Sequence, residues 1–409
     1  MKNDQNKKKG TDSKFVNYEH LDKIGEIAVY YGFTPTKSPS ITKEDMDAAA
    51  DIHEGDHIDD ETDKHGKIPL HAEEKIALIR TYNENGMHVL PQPVMFYLKD
   101  PCRGSSTNRY ADLEILGSSG PIAEATLIQT ARIMLAEEGY AETSVEINSI
   151  GDKDSLARFS RELTAYYRKH INEMSAASRE LFKKDIFELL ACRSEDCKEL
   201  NEKAPKALNF LSETSRRHLE ETLEYLEALN IPYTVNNSLL GNRRYCSETV
   251  FTIIEDKVPA KNQRILAVGV RYNSLSKRLA MKRDLQGVGI SLLIKEKNKD
   301  LRKAVTKMKK PIASFVQLGL ESKLLSLQII EKLRQAKVPL YLSLAKDRLG
   351  AQVSSVEKYH TPYVIVMGKK EAVDRTVIVR KNETHAQEIV PLDELTKYMK
   401  KIEDACYKK

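Results

Sequence analysis

The chain has 409 residues, which is more than a single ordinary hydrophobic core holds and enough for two or three domains. Hydrophobic residues at 41% and charged residues at 31% are typical of a globular protein, and no apolar run approaches the roughly 20 residues that a membrane span requires. The net charge of +5 is too small to indicate a nucleic-acid partner by itself, so we expect a water-soluble, cytoplasmic protein.

The first residues are basic and no apolar segment follows them. We therefore expect no cleaved leader and interpret residues 1–17 as a disordered basic tail. Residues 18–33 place apolar side chains at helical spacing up to Gly32, which predicts a helix leading into a strand. The five cysteines are scattered and lack C-x-x-C spacing, which indicates free thiols in a reducing compartment.

A polar, acidic segment over residues 51–66 is predicted to be a solvated loop. It contains His53, His57 and His65 beside several carboxylates. Imidazole and carboxylate groups are ordinary metal ligands. Polar loops also collect such residues through composition alone, and for that reason we expect no metal site here.

Amphipathic helices and alternating strands follow this loop. Helical spacing with a closing glycine predicts a helix over 123–139, and alternation predicts a strand over 143–151. Helical patterns continue to about residue 230, with Ser212 or Thr214 as a candidate cap. Four strand-like runs between 233 and 294 are separated by short gaps, which favours an antiparallel sheet.

The segment 295–310 contains eight Lys or Arg residues against two acidic ones. It is a candidate RNA contact, although lysine-rich runs are more often solvated linkers. The remaining residues alternate strand and helix, which predicts a compact α/β domain over 311–409 with 17 basic and 12 acidic residues. Because aromatic rings stack on unpaired bases, Tyr359 joins the lysines as a candidate. The RNA-binding candidates are Lys303, Lys307, Lys309, Lys310 and Tyr359.

Several motifs in a fixed order point to one family. The segments SVEINSIGDKDSLARFSRELTAYYRKH, RRYCSETVF and VGVRYNSL, with HAEEKIALIRTYNENG upstream and VPLDELTKYM near the end, resemble histidyl-tRNA synthetases over roughly residues 18–405. The resemblance implies an α+β fold with a class II catalytic-type domain over 18–310, in which helices flank an antiparallel sheet. It also implies a helical insertion over about 170–230 and an anticodon-binding-like α/β domain over 311–409.

The family adenylates histidine with ATP and Mg²⁺ and transfers it to tRNA, usually as a dimer. Such a site needs arginines and magnesium to neutralise phosphate charge in the transition state. Here Gly241 stands at the position of the arginine that contacts the α-phosphate, and Leu293 and Ile294 replace the Glu-Arg pair of the third class II motif. Apolar side chains supply neither charge nor a fork of donors.

Further motifs are altered in the same way. The second class II motif is shorter than in the family, with Arg103 near the motif arginine's position and Tyr110 in place of a glutamine. The family's Arg-Pro-Glu-Gly-Thr appears as HAEEK, which retains Glu73 but has His71 for the arginine and Glu74 for the glycine. The remaining catalytic candidates are Arg103, Arg243 and Arg244, and the pocket remnants that the resemblance implies are Glu73, Glu114, Tyr245, Arg271 and Tyr272.

These losses favour a catalytically inactive homodimer that uses no cofactor, contacts no membrane, and binds tRNA or another RNA or regulates a protein partner. One alternative is an active, divergent histidine–tRNA ligase that uses ATP and Mg²⁺, with Arg103, Arg243 or Arg244 in replacement roles. A second alternative is a regulatory subunit of the ATP phosphoribosyltransferase type. Those subunits lack the C-terminal domain that this chain retains, which counts against the second alternative.

Overall fold

The structure is a computed structural model that describes residues 14–53, 72–99, 109–192, 194–256, 264–279, 281, 284–294, 305–342, 349–357 and 359–407. The elements of its first three quarters are, in chain order, β1 (Phe15–Leu21), α1 (Lys23–Tyr30), β2 (Thr34–Thr36), α2 (Lys43–His53), α3 (Ala72–Glu84), β3 (Val94–Lys99), β4 (Arg109–Leu116), α4 (Ile122–Glu137), β5 (Thr143–Gly151), α5 (Lys153–Lys169), α6 (Ala176–Lys184), α7 (Ile186–Ala191), α8 (Glu195–Glu202), α9 (Glu213–Ala228), β6 (Tyr233–Val235), β7 (Ser247–Glu255), β8 (Ile265–Arg271), α10 (Leu275–Arg278), β9 (Gly287–Ile294) and β10 (Val305–Lys309).

Eight of these strands form one large sheet in the order β2-β3-β4-β9-β8-β7-β5-β6. Neighbouring strands are antiparallel, except that β2 pairs parallel with β3 and β6 pairs parallel with β5 at the two ends. The predicted antiparallel sheet is therefore confirmed. The core lies between this sheet and its helices, because the inward-facing residues of β4, β7, β8 and β9 are fully buried apolar side chains.

Side-chain caps fix where the helices around the insertion begin. Asp152 accepts a bond from the Ser155 amide at 2.8 Å and so caps α5. Ser212, one of the two predicted caps, accepts from the Ser215 amide at 3.2 Å and caps α9. The Ser212 hydroxyl also donates to Asp152 at 2.7 Å, so a single carboxylate joins the starts of both helices.

The predicted helix over 18–33 is wrong in its first part. Residues Phe15–Leu21 form a strand that pairs antiparallel with Val305–Lys309, and helix α1 begins only after Asp22, whose carboxylate caps it by accepting from the Gly25 amide at 2.9 Å. Two expectations change as a result. Residues 15–17 belong to a strand and not to a disordered tail, and the end of the lysine-rich run is strand and not a loose linker.

The last hundred residues contain β11 (Ala313–Gln317), α11 (Leu320–Gln335), β12 (Leu340–Leu342), α12 (Leu349–Glu357), β13 (Tyr363–Met367), α13 (Lys369–Val373), β14 (Thr376–Lys381), β15 (Gln387–Pro391) and α14 (Leu392–Tyr407). Their strands form a five-stranded sheet in the order β12-β11-β13-β14-β15, as predicted for an α/β domain. This domain packs on the large one, since the Tyr31 hydroxyl donates to Glu331 at 2.6 Å and one apolar cluster includes side chains of both. Across the described helices, none has the length and apolar character that a membrane span needs.

Candidate functional site

Three adjacent strands of the large sheet place two of the predicted pocket residues together. Glu114 on β4 lies directly opposite Gly289 on β9, and Tyr272 follows the last residue of β8. A Cβ atom on Gly289 would lie 2.0 Å from the Glu114 carboxylate, and one on Gly287 would lie 2.2 Å from the Tyr272 ring. Both glycines are therefore required because the two polar side chains occupy the space above them.

The centre of this cluster is occupied by a lysine. The Tyr272 hydroxyl donates to one oxygen of Glu114 at 2.5 Å, and the ammonium group of Lys75 binds the other oxygen. Lys75 also lies 3.8 Å from the Asp112 carboxylate. The side chains of Lys75, Asp112 and Glu114 are 3%, 3% and 0% exposed, so the whole ion cluster is removed from solvent.

Two other predicted pocket residues, Glu73 and Tyr245, are also buried. Glu73 lies in the first turn of α3, two residues before Lys75, and Tyr245 is near enough to Tyr272 to influence its pKa. The structure therefore brings together Glu114 and Tyr272, with Tyr245 near Tyr272, whereas Glu73 is buried on the helix that carries Lys75.

Electrostatics favour a charged lysine at the centre. Burial alone would lower the pKa of Lys75, but the carboxylates of Glu114 and Asp112 outweigh burial and hold that pKa above its ordinary value. Burial raises the pKa of the Glu114 carboxyl, and Lys75 acts in the opposite direction. Burial and the neighbouring Glu114 raise the pKa of Tyr272 well above its ordinary value, so its hydroxyl stays protonated and donates.

Arg271, the fifth predicted pocket residue, does not join this cluster. Consecutive residues of a strand point to opposite faces of the sheet, and Arg271 therefore turns away from Tyr272. Its guanidinium donates to both oxygens of Glu124, at 2.6 Å each, and to the Ser118 carbonyl at 2.9 Å. Arg271 and Glu124 are both fully buried, so this pair is part of the scaffold.

Glu124 has two further partners on this opposite face. It lies 2.8 Å from the Nε2 atom of His218 and accepts from the Thr249 hydroxyl at 2.6 Å. Burial raises the pKa of the Glu124 carboxyl, but Arg271 and His218 outweigh burial and hold the pKa well below its ordinary value. Helices α4 and α9 are thereby tied to strands β7 and β8.

Of the predicted replacement arginines, the structure describes Arg243 and Arg244. Arg243 pairs with Asp185 and stacks over the Phe187 ring at 4.1 Å, which holds it against the helical insertion. Arg244 is exposed. Arg103, like His71 and the loop histidines His57 and His65, lies outside the described residues.

At the family's arginine position, Gly241 adopts a left-handed conformation with φ of 59°. A Cβ atom there would lie 3.1 Å from Val250 and 3.2 Å from the Cys246 sulfur, so any larger residue is both strained and crowded. At the end of β9, Ile294 is packed in the main apolar cluster and Leu293 pairs with the buried Tyr110. The residues at these positions therefore pack within the fold and present no charged group.

The RNA-binding candidates are only partly described. Lys309 binds Glu403 at 2.5 Å and lies 4.9 Å from the centre of the Tyr407 ring, so it is engaged within the chain. Lys310 is exposed, and Tyr359 is 50% exposed and stacks on Tyr341 at 3.6 Å. Lys303 and the side chain of Lys307 lie outside the described residues.

Sequence reasoning missed Lys75. The signal was present in the HAEEK segment, where Lys75 falls at the threonine of the family's Arg-Pro-Glu-Gly-Thr. A lysine on a helix is usually exposed, and its partner Glu114 is 39 residues away in sequence. Only the fold brings the two together.

Comparisons with known proteins agree with this architecture. The family model described as "Anticodon binding domain" matches residues 319–402. The histidine–tRNA ligase of Fervidobacterium nodosum is 27% identical over 382 residues, covering 89% of this chain and 90% of the relative. That of Desulforamulus reducens is 24% identical, covering 92% of this chain and 93% of the relative.

Two solved structures also match the chain over most of its length. Apo histidyl-tRNA synthetase of S. aureus has a TM-score of 0.49 and 21% identity, and the similarity covers 92% of this chain and 93% of that one. A Bacillus halodurans protein described as an ATP phosphoribosyltransferase regulatory subunit/histidyl-tRNA synthetase has a TM-score of 0.43 and 15% identity, covering 84% and 92% of the two chains.

The large antiparallel sheet, its flanking helices and the C-terminal anticodon-binding domain define a class II aminoacyl-tRNA synthetase-like protein. Similarity to histidine–tRNA ligases extends over nearly the whole chain. The chain is thus similar to histidyl-tRNA synthetases over most of its length and matches an anticodon-binding domain at its C-terminal end.

Proposed function

We propose that this chain is a family member that does not activate histidine and that binds tRNA or another RNA through its C-terminal domain, as a cytoplasmic homodimer. The observation that carries the first half is the packing at the ATP-contacting positions. Gly241 adopts a left-handed conformation against Val250 and Cys246, and Ile294 is buried in the core. None of these side chains carries charge.

The described residues at these positions do not fit ATP and Mg²⁺. A triphosphate needs cationic groups placed at its oxygens, and a misplacement near 1 Å already costs about 100-fold in rate. Arg243 does not supply such a group, because Asp185 and the Phe187 ring hold it. We therefore derive no chemical step through ATP for this chain.

The C-terminal domain supports the second half of the proposal. Residues 319–402 match an anticodon-binding domain, and residues 311–409 contain 17 basic and 12 acidic side chains. Lys310, which is exposed immediately before this domain, and half-exposed Tyr359 within it offer a phosphate contact and a stacking surface. Regulation of a protein partner is the remaining part of the interpretation, and no described feature favours a particular partner.

A tRNA binding titration tests the proposal beside a histidylation assay on the same preparation. We expect binding that weakens as salt rises between about 50 and 200 mM, because basic residues displace counterions from phosphates. We expect no histidylated tRNA. Charging of tRNA above background would overturn the inactive half and favour a divergent histidine–tRNA ligase. Absent or salt-insensitive binding of both tRNA and a structured RNA unrelated to tRNA would overturn the RNA-binding half.

A further inference from the structure

The ammonium group of Lys75 binds Glu114, one of the pocket residues that the family resemblance implies. Its neighbours are the Glu114 carboxylate, which it binds directly, and the Asp112 carboxylate at 3.8 Å. The Tyr272 hydroxyl completes the cluster by donating to Glu114 at 2.5 Å. Carboxylates and a tyrosine around a buried ammonium group are a binding site for an amine, and here the amine belongs to the chain.

Lys75 supplies the positive charge that the buried Glu114 carboxylate binds. A buried carboxylate without a partner is unfavourable, and removing one member of a buried ion pair leaves such a charge. Glu114 is fully buried and its ion-pair partner is Lys75. The pocket therefore depends on an ammonium group, whether that group is supplied by the chain or by a ligand.

We propose that Lys75 is a built-in occupant of the amino-acid pocket, filling the ammonium subsite so that no free amino acid binds there. This inference deepens the proposed function and rests on it, since a pocket closed by its own lysine is compatible only with a non-activating protein. It also assigns a ligand class to the emptied pocket: a primary ammonium compound small enough to replace the missing side chain.

Chemical rescue of Lys75→Ala tests this assignment. The substitution leaves Cβ in place and removes three carbons and the ammonium group, a gap that n-propylammonium matches. We expect the melting temperature of Lys75→Ala to fall by roughly 5–15 °C and to recover in a saturable manner with n-propylammonium. Tetramethylammonium at equal ionic strength is the control, because it has the charge but no N–H donor.

Two companion variants separate binding of the amine at this subsite from a general effect of the added salt. Lys75→Met fills the gap with an apolar chain and should not respond to n-propylammonium. The double variant Lys75→Ala/Glu114→Gln lacks the carboxylate that binds the amine, so its response should be lost. A melting temperature that rises equally in all variants, or equally with both cations, would overturn the proposal, as would a Lys75→Ala protein that is as stable as the wild type.

Lys75→Met also decides the question if Lys75→Ala does not fold. Without the lysine, burial raises the pKa of Glu114 further, so the variant should be most stable at low pH and lose stability as the pH rises towards neutrality. The wild type should show a smaller loss, because Lys75 opposes the effect of burial on the pKa of Glu114. A difference in stability between Lys75→Met and the wild type that stays constant from low to neutral pH would contradict the proposal.

L-Histidine binding then separates this inference from the proposed function. We expect no calorimetric binding of L-histidine by the wild type and detectable binding by Lys75→Ala, with neither protein charging tRNA. Charging of tRNA by the wild type would overturn the proposed function and the inference with it, whereas histidine binding without charging would overturn the inference alone, so the two failures are distinguishable.

Discussion

The pocket of the large domain and the surface around the C-terminal domain use their charged residues in opposite ways. In the pocket, Lys75 and Glu114 are buried and bind each other, and on the opposite face of β8 Arg271 binds Glu124 in the same manner. Lys310, by contrast, is exposed. The buried pairs stabilise the large domain, and the exposed Lys310 is the residue that our proposal assigns to RNA binding.

The largest expected effect is a loss of stability when the buried pair of Arg271 and Glu124 is broken. Arg271→Met leaves the buried Glu124 with a reduced set of partners, and we expect it to lower the free energy of unfolding by about 3–5 kcal/mol. Urea unfolding measures this change. The matched control is Lys203→Gln, which removes an exposed ion pair with Glu199 and should leave the unfolding midpoint unchanged. A loss of less than about 1 kcal/mol from Arg271→Met would contradict the claim that the buried pair stabilises the fold more than an exposed ion pair does.

Gly289→Ala should have the next largest effect. The added Cβ would lie 2.0 Å from the Glu114 carboxylate, which is already held by Lys75 and Tyr272, so one of these contacts has to shift. We expect a loss of about 1–3 kcal/mol in the free energy of unfolding. Gly350→Ala in α12 is the control, because no atom lies within 4 Å of its added Cβ. Equal effects of the two substitutions would show that the Glu114 cluster is looser than the structure indicates.

A smaller effect is expected from pH. Arg271 and His218 hold the pKa of Glu124 below its unfolded value despite burial. The stability from Glu124 is therefore present above its unfolded pKa of about 4.3 and is lost as the pH falls towards the folded value. Melting temperatures of the wild type and Glu124→Gln should converge as the solution is acidified from neutral pH. A gap that stays constant on acidification would contradict this account.

The smallest effect is expected from substituting exposed lysines. These substitutions should change RNA binding without changing stability. Lys310→Gln should weaken tRNA binding and reduce the slope of log affinity against log salt by about 0.9 if the lysine contacts one phosphate. Lys309→Gln should change binding less, because Glu403 and Tyr407 hold Lys309. A titration of both variants, with Lys203→Gln as control, checks the order. Equal losses from all three would indicate a charge effect without a defined surface.

Much of the fold could be predicted from local patterns and ordered motifs. The helix over Ile122–Glu137 and the strand over Thr143–Gly151 lie within two residues of the predicted bounds, since their apolar spacing is regular. The ribbon of β1 and β10 was missed because it pairs Phe15 with Lys309, which are far apart in sequence. Apolar spacing in residues 18–33 favoured a helix over the whole segment, but the helix begins only after its N-cap, Asp22.

The site was harder to predict, because its organisation depends on contacts that are distant in sequence. The motifs predicted Glu114 and Tyr272 as neighbours, and the structure places them together. They also grouped Arg271 with these residues, although the alternation of side chains along β8 separates Arg271 from Tyr272. Lys75 was overlooked because nothing local distinguishes a buried lysine on a helix from an exposed one.

Histidine-dependent exchange of labelled pyrophosphate into ATP, with Mg²⁺ and excess protein, tests the central claim most directly. The exchange reports adenylate formation alone and needs no tRNA. The account predicts no exchange above a histidine-free control, because the ATP-contacting positions are packed apolar residues and Lys75 fills the amino-acid pocket. Exchange that depends on histidine would contradict the account and make Arg103 the first residue to substitute.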